Sequence, residues 1–141
     1  MNRTTLRKHN FKLLFETEFH PPERLEEQFD LYVNGLGFTG DESADPESVS
    51  EEDIEYMRRK FFGVVEALDD IDDRINEVAE GWTTSRMGKV ELSILRLAYY
   101  EIKYEDDIPV AVAINEAVEL AKTFGSDGSP SFVNGILAKL V

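Results

Sequence analysis

Three observations predict an all-α protein of about seven helices. Apolar residues recur at spacings of three and four along most of the 141 residues. No stretch alternates with period two. Proline, glycine and capping residues punctuate the chain at helix-length intervals.

The first helix is expected to start near Thr4 or Thr5 and to run to about Phe19. Phe11, Leu14, Phe15 and Phe19 form its apolar stripe, and Pro21-Pro22 ends it. A second helix runs over about 22–35, with Leu25, Phe29, Leu31 and Tyr32, and Gly35 and Gly37 mark its end. Residues 39–53 hold seven acids and no base, the composition of a solvated loop. Ser50 and Asp53 then form a capping pair for a helix from about 51 towards Ala67. The Asp-rich segment 69–73 is expected to break it, with Ile71, Ile75 and Val78 continuing as a short helix that Gly81 closes.

"KVELSILRLAYYEIKYE" is apolar in nearly every direction around a helix, which marks a central, buried element. "DIPVAVAINEAVELAKTFG" enters its helix through Pro109 and leaves at Gly125. Its alanines and valines let neighbouring axes approach closely, so segment 110–124 is expected to pack on 90–103. Asn115, at the edge of the stripe, is expected to hydrogen-bond a neighbouring backbone group. Ser129-Pro130 opens a last helix over about 130–140.

The chain has no cysteine, which excludes disulfides and thiolate metal sites. No apolar run reaches membrane-spanning length and no signal segment opens the chain, so the expectation is a cytoplasmic protein. The net charge of −14 argues against nucleic acid. Its distribution argues the other way. Residues 1–12 carry Arg3, Arg7, Lys8 and Lys12 and no acid, so 11 bases face all 29 acids elsewhere.

Four features are candidates for chemistry. "DDIDD" at 69–73 matches an Asp-Asp-x-x-Asp pattern that could hold Mg²⁺-diphosphate through Asp69, Asp70 and Asp73. A single such motif in a short chain is better explained as a solvated acidic helix end. His9 and His20 belong to no metal-ligand or catalytic spacing, so no enzyme activity and no cofactor is expected. The basic start is the stronger signal. Bases oppose the positive end of a helix dipole, and Arg3 with Arg7, and Lys8 with Lys12, share faces by i,i+4 spacing. A phosphate-binding face and a merely frayed basic terminus both fit. Phe132, in the first turn of the last helix, either stacks a base or fills the core.

The blocks "VELSILRLAYYEI", "DIPVAVAINEAVELAKTFG" and "SFVNGIL" closely resemble the NusB family of bacterial transcription antitermination factors. The resemblance spans essentially the whole length and is strongest over 82–138. It implies two packed helical bundles, about 1–80 and 82–141, forming one RNA-binding domain. It implies non-catalytic binding of the boxA element of ribosomal RNA leader transcripts together with NusE, a small-subunit ribosomal protein, within the RNA polymerase antitermination complex. Arg3, Arg7 and Lys8 fall on the family's arginine-rich start, thinned here by Thr4, Thr5 and Leu6. Lys12 extends that basic face. Phe132 and Asn134 fall on the Phe-Val-Asn-Gly motif beside the RNA-binding surface. Phe15 and Glu91 fall on the NusE-facing surface. Monomer and homodimer both remain open. The rival reading is a protein-only helical adaptor that docks a basic partner through its acidic surface.

Overall fold

The computed structural model describes residues 1–36 and 49–141. The acidic loop expected over 39–53 lies outside the described residues up to position 48, as does Gly37. Among the described residues there are seven α-helices and no strand. They are α1 Arg3–Thr17, α2 Leu25–Asn34, α3 Glu51–Glu66, α4 Leu68–Val78, α5 Lys89–Tyr104, α6 Val110–Phe124 and α7 Ser129–Lys139. None is long and apolar enough to cross a membrane. The chain divides into two compact units, Met1–Gly63 and Val64–Val141. The sequence placed this boundary near Gly81. It falls within α3 because α4 packs on α5 and α7.

In the first unit, the Asn2 side chain caps α1 by accepting the Thr5 backbone N–H at 2.8 Å. Leu6, Phe11, Leu13 and Leu14 of α1 are buried, as are Phe29 and Val33 of α2 and Met57 and Phe61 of α3. Each such side chain contributes roughly 1.5–3 kcal/mol on burial. Phe29 and Phe61 stack at 5.9 Å. α1 stops at Thr17, whose hydroxyl donates to the Leu14 carbonyl at 2.6 Å. Phe19 therefore leaves the stripe and is 65% exposed, where the sequence had placed it in the core. A 3-10 turn, Pro22–Arg24, leads into α2. The Ser50–Asp53 capping pair forms as expected. The Asp53 N–H donates to Ser50 Oγ at 3.1 Å, and the Ser50 N–H donates to Asp53 Oδ2 at 3.0 Å.

In the second unit, the Asp-rich segment does not break a helix. The interruption is at Ala67, and Asp69 and Asp70 lie in the first turn of α4, where negative charge suits the dipole. Asp72 accepts Arg96 side-on, from Nε at 2.9 Å and Nη2 at 2.7 Å, which ties α4 to α5. Residues 92–99 of α5 are all buried, as its all-round apolar character requires. Ala113, Ala117 and Ala121 are buried along one face of α6, which packs on both α5 and α7. Their small side chains account for that close double packing. Asn115 is exposed. It lies at the surface, and not against a buried backbone group as the sequence had suggested. The chain turns from α6 to α7 at Gly125, where a Cβ would sit 2.5 Å from the Ser129 Cβ and 2.7 Å from the Ala121 carbonyl oxygen.

Candidate functional site

Each unit carries its own candidate surface. In the first unit the basic residues of α1 take three different situations. Arg3 is exposed. Its guanidinium lies 4.6 Å from the centre of the Tyr56 ring and donates to the Tyr56 hydroxyl at 2.8 Å. It borders a cleft of about 410 Å³ that is also lined by Glu52, Asp53 and Glu55 from the acidic start of α3. The Met1 amine pairs with Asp53 Oδ2 at 3.0 Å. Burial pushes the Asp53 carboxyl up, but hydrogen bonds from the Ser50 backbone, the terminal amine and the Ser50 hydroxyl, with the amine's charge, outweigh it and hold the carboxyl below its ordinary range. The cost of placing bases at a helix start thus has a local offset that the sequence did not show.

Arg7 is 4% exposed and partnered inside the protein, beside buried Leu6, Asn10 and Leu14. Buried in this way, its guanidinium is not presented to a phosphate at the surface. The i,i+4 pairing with Arg3 is real, but the helix turns that stripe into the core one turn on. Lys8 and Lys12 are partly exposed and flank His9. His9 shares a 2.7 Å hydrogen bond between Nδ1 and the Tyr32 hydroxyl. Burial lowers the His9 pKa, and the charges of Lys12 and Lys8 lower it further. Burial, with the Glu16 charge, pushes the Tyr32 hydroxyl up to about 12. Phe15 is half-buried within an aromatic ladder, 6.3 Å from Phe11 and 5.4 Å, edge to face, from Phe19.

In the second unit, the start of α5 and the start of α7 border a cleft of about 250 Å³. Ser129 Oγ donates to Glu91 Oε1 at 2.5 Å, and the Ser126 N–H donates to Ser129 Oγ at 3.0 Å. The other carboxylate oxygen, Oε2, occupies the space that a Cβ at Gly88 would need. Phe132 is half-buried and meets Trp82 edge to face at 5.7 Å. Asn134 is exposed, but two helical positions are roughly 200° apart, so it does not share the Phe132 face. Buried Val133 lies between them in sequence.

Trp82 is 50% exposed, and sequence reasoning missed it. The signal was present: it is the chain's one tryptophan, and it follows Gly81. Gly81 has φ +78°, and the Trp82 N–H donates to the Ala79 carbonyl at 2.9 Å. This left-handed glycine closes a tight turn that delivers the indole to the cleft. Among the described residues no group of three or more His, Cys, Asp or Glu side chains could hold a metal ion. Asp72 is committed to Arg96, and Asp69 and Asp70 are exposed.

The fold and these surfaces define a small all-helical protein with a basic helix face in one unit and an aromatic, carboxylate-bearing cleft in the other. Residues 4–141 match the model of the NusB family, and the chain belongs to that family. It is 47% identical over 141 residues to the transcription antitermination protein NusB of Lachnoclostridium phytofermentans, covering all of this chain and 99% of that one. The solved structure of NusB from T. maritima superposes with a TM-score of 0.84 at 36% identity, covering 99% of this chain and 90% of the other. The crystal structure of the antitermination factors NusB and NusE in complex with dsRNA shares the fold, with a TM-score of 0.81 at 22% identity over 98% of this chain and 94% of the other.

Proposed function

We propose that this protein is a non-catalytic transcription antitermination factor that binds boxA RNA of ribosomal RNA leader transcripts together with NusE. In doing so it promotes read-through by RNA polymerase. Lys8 and Lys12, side by side on the outward part of α1, are the observation that carries the RNA part. Bases clustered on one face, in a chain of net charge −14, mark a place where a polyanion can gain more than it loses. Arg3 joins them, with its guanidinium shared with Tyr56. Phe132 supplies an aromatic ring and Asn134 an exposed amide on α7. Phe15 and Glu91 face NusE. Support for that assembly comes from the family and from the fold shared with a NusB that has been crystallised with NusE and dsRNA.

The deciding experiment is a binding titration with boxA-like and scrambled RNA, each with and without NusE. Preference for boxA that sharpens when NusE is present supports the proposal. Binding of NusE with no RNA affinity at any salt would leave the protein-only adaptor, docking a basic partner through its acidic surface, as the correct reading.

A further inference from the structure

The cleft at the starts of α5 and α7 has walls that specify an occupant. Trp82, Gly88, Glu91, Ser126, Ser129 and Phe132 contribute to it. Among the described residues that line it, Glu91 is the only charged one. Ser129 holds one carboxylate oxygen while the other lies against the backbone at Gly88, which limits the movement of the group. Phe132 braces the indole of Trp82 edge to face, at an interplanar angle of 75°, while half of Trp82 stays open to solvent. A fixed carboxylate beside an exposed indole is the composition of a cation receptor. A phosphate group is disfavoured beside Glu91, because the carboxylate repels it and, among the described residues, no basic side chain lines the cleft.

We propose that this cleft receives one arginine side chain of the protein partner, its guanidinium lying on Trp82 and paired with Glu91. Arginine fits better than lysine on two counts. Its planar head stacks on an indole face, and its fork of N–H donors matches a carboxylate already held in place. The inference rests on the reading of NusE as the partner, and it adds Trp82 and the chemistry of the contact. Glu91 then works twice, accepting Ser129 within the protein and the guanidinium from outside.

Trp82 is the chain's one tryptophan, so its emission reports on the cleft directly. The test titrates full-length protein with NusE and, separately, with boxA-like RNA, following that emission after subtraction of NusE alone. NusE is expected to change it strongly, and RNA alone, which meets the cleft only at Phe132, to change it less. Trp82→Leu and Glu91→Gln should each weaken NusE binding about 5- to 30-fold, the factor a desolvated cation–π or charge-assisted contact is worth. Trp82→Phe should restore part of the loss. The double variant should lose less than the product of the two single effects, because both groups hold the same cation. Far-ultraviolet circular dichroism of each variant checks folding, and Trp82 is exposed enough for its removal to spare the core. Emission that responds to RNA and not to NusE would overturn the inference in favour of a base-stacking site. Unaltered NusE affinity in all variants, with the parent still binding NusE, would overturn it while leaving the proposed function intact. Failure of the parent to bind NusE would sink both.

Discussion

Ser129 Oγ donates to Glu91 Oε1 at 2.5 Å, joining the first turn of α7 to the first turn of α5 across 38 residues of chain. Neither helix start has a side-chain cap of its own. This one hydrogen bond fixes both starts at the mouth of the same cleft, so the position of Glu91 and the approach of α7 are set together.

Removing that acceptor should therefore be felt in stability. Glu91→Ala is expected to cost about 1.5–3 kcal/mol, the range for a hydrogen bond to a charged group. Glu91→Gln keeps an oxygen for Ser129 and should lose about 1 kcal/mol or less. Urea unfolding of the three proteins gives the comparison. Equal stability of parent and Ala variant would show that the tether contributes nothing.

Gly125 gives a second, independent prediction. A methyl group there meets the Ser129 Cβ at 2.5 Å, Ser129 Oγ at 2.6 Å and the Ala121 carbonyl oxygen at 2.7 Å. Backbone is among these neighbours and cannot rotate away. Gly125→Ala should destabilise by about 1–3 kcal/mol, the usual cost of overpacking, and should displace Ser129 from Glu91. Thermal unfolding checks the first effect. A melting temperature at or above that of the parent would show that the turn relaxes freely.

The fold was legible where its cause is local. The Ser50–Asp53 capping box, Pro130 in the first turn of α7 and the all-round apolar run of α5 are short-range signals, and each formed as read. The candidate site was less legible, because its residues owe their state to segments far away in sequence. Arg7 and Lys8 are neighbours of like charge, yet one is buried and the other partly open. Only the packing of α1 decides that. Arg3 gains Tyr56 from 53 residues away. The end of α1 at Thr17 shows a limit of periodicity: Phe19 continues the stripe in sequence, but the helix that would bury it has stopped. Trp82 carries no periodic signal at all, since a turn rather than a helix presents it.

His9 and Tyr32 lead to a pH prediction with two limbs. The His9 pKa lies below its ordinary 6.5, so between these values the unfolded chain binds the proton and the folded chain does not. Stability should accordingly fall as pH drops from about 6.5 through the lowered value. The Tyr32 hydroxyl goes from 10.0 to about 12, so above pH 10.0 the unfolded chain loses its proton first and stability falls again. The pair contributes fully only in the window between. His9→Gln should flatten the acid limb and Tyr32→Phe the alkaline one, measured as the difference in urea midpoint between parent and variant across pH. Parallel parent and variant curves below pH 6.5 would rule out His9 as a source of the acid limb.

Burial of Arg7 changes the salt dependence expected for RNA. Four phosphate-neutralising bases give a slope of log affinity against log salt of roughly −3 for single-stranded RNA, and three give roughly −2. On the proposed reading Arg3, Lys8 and Lys12 would do this, because Arg7 is buried. Lys8→Gln and Lys12→Gln should each flatten the slope by roughly 0.7 with little effect on stability. Arg7→Met should do the reverse. It removes the interaction of a buried guanidinium, at about 1–3 kcal/mol, and should leave the slope of the folded protein unchanged. Fluorescence anisotropy with labelled boxA-like RNA from low to moderate salt provides the slopes, and thermal unfolding provides the stabilities. A slope that flattens as much in Arg7→Met as in Lys8→Gln would mean that α1 rearranges on the RNA and brings Arg7 out to a phosphate.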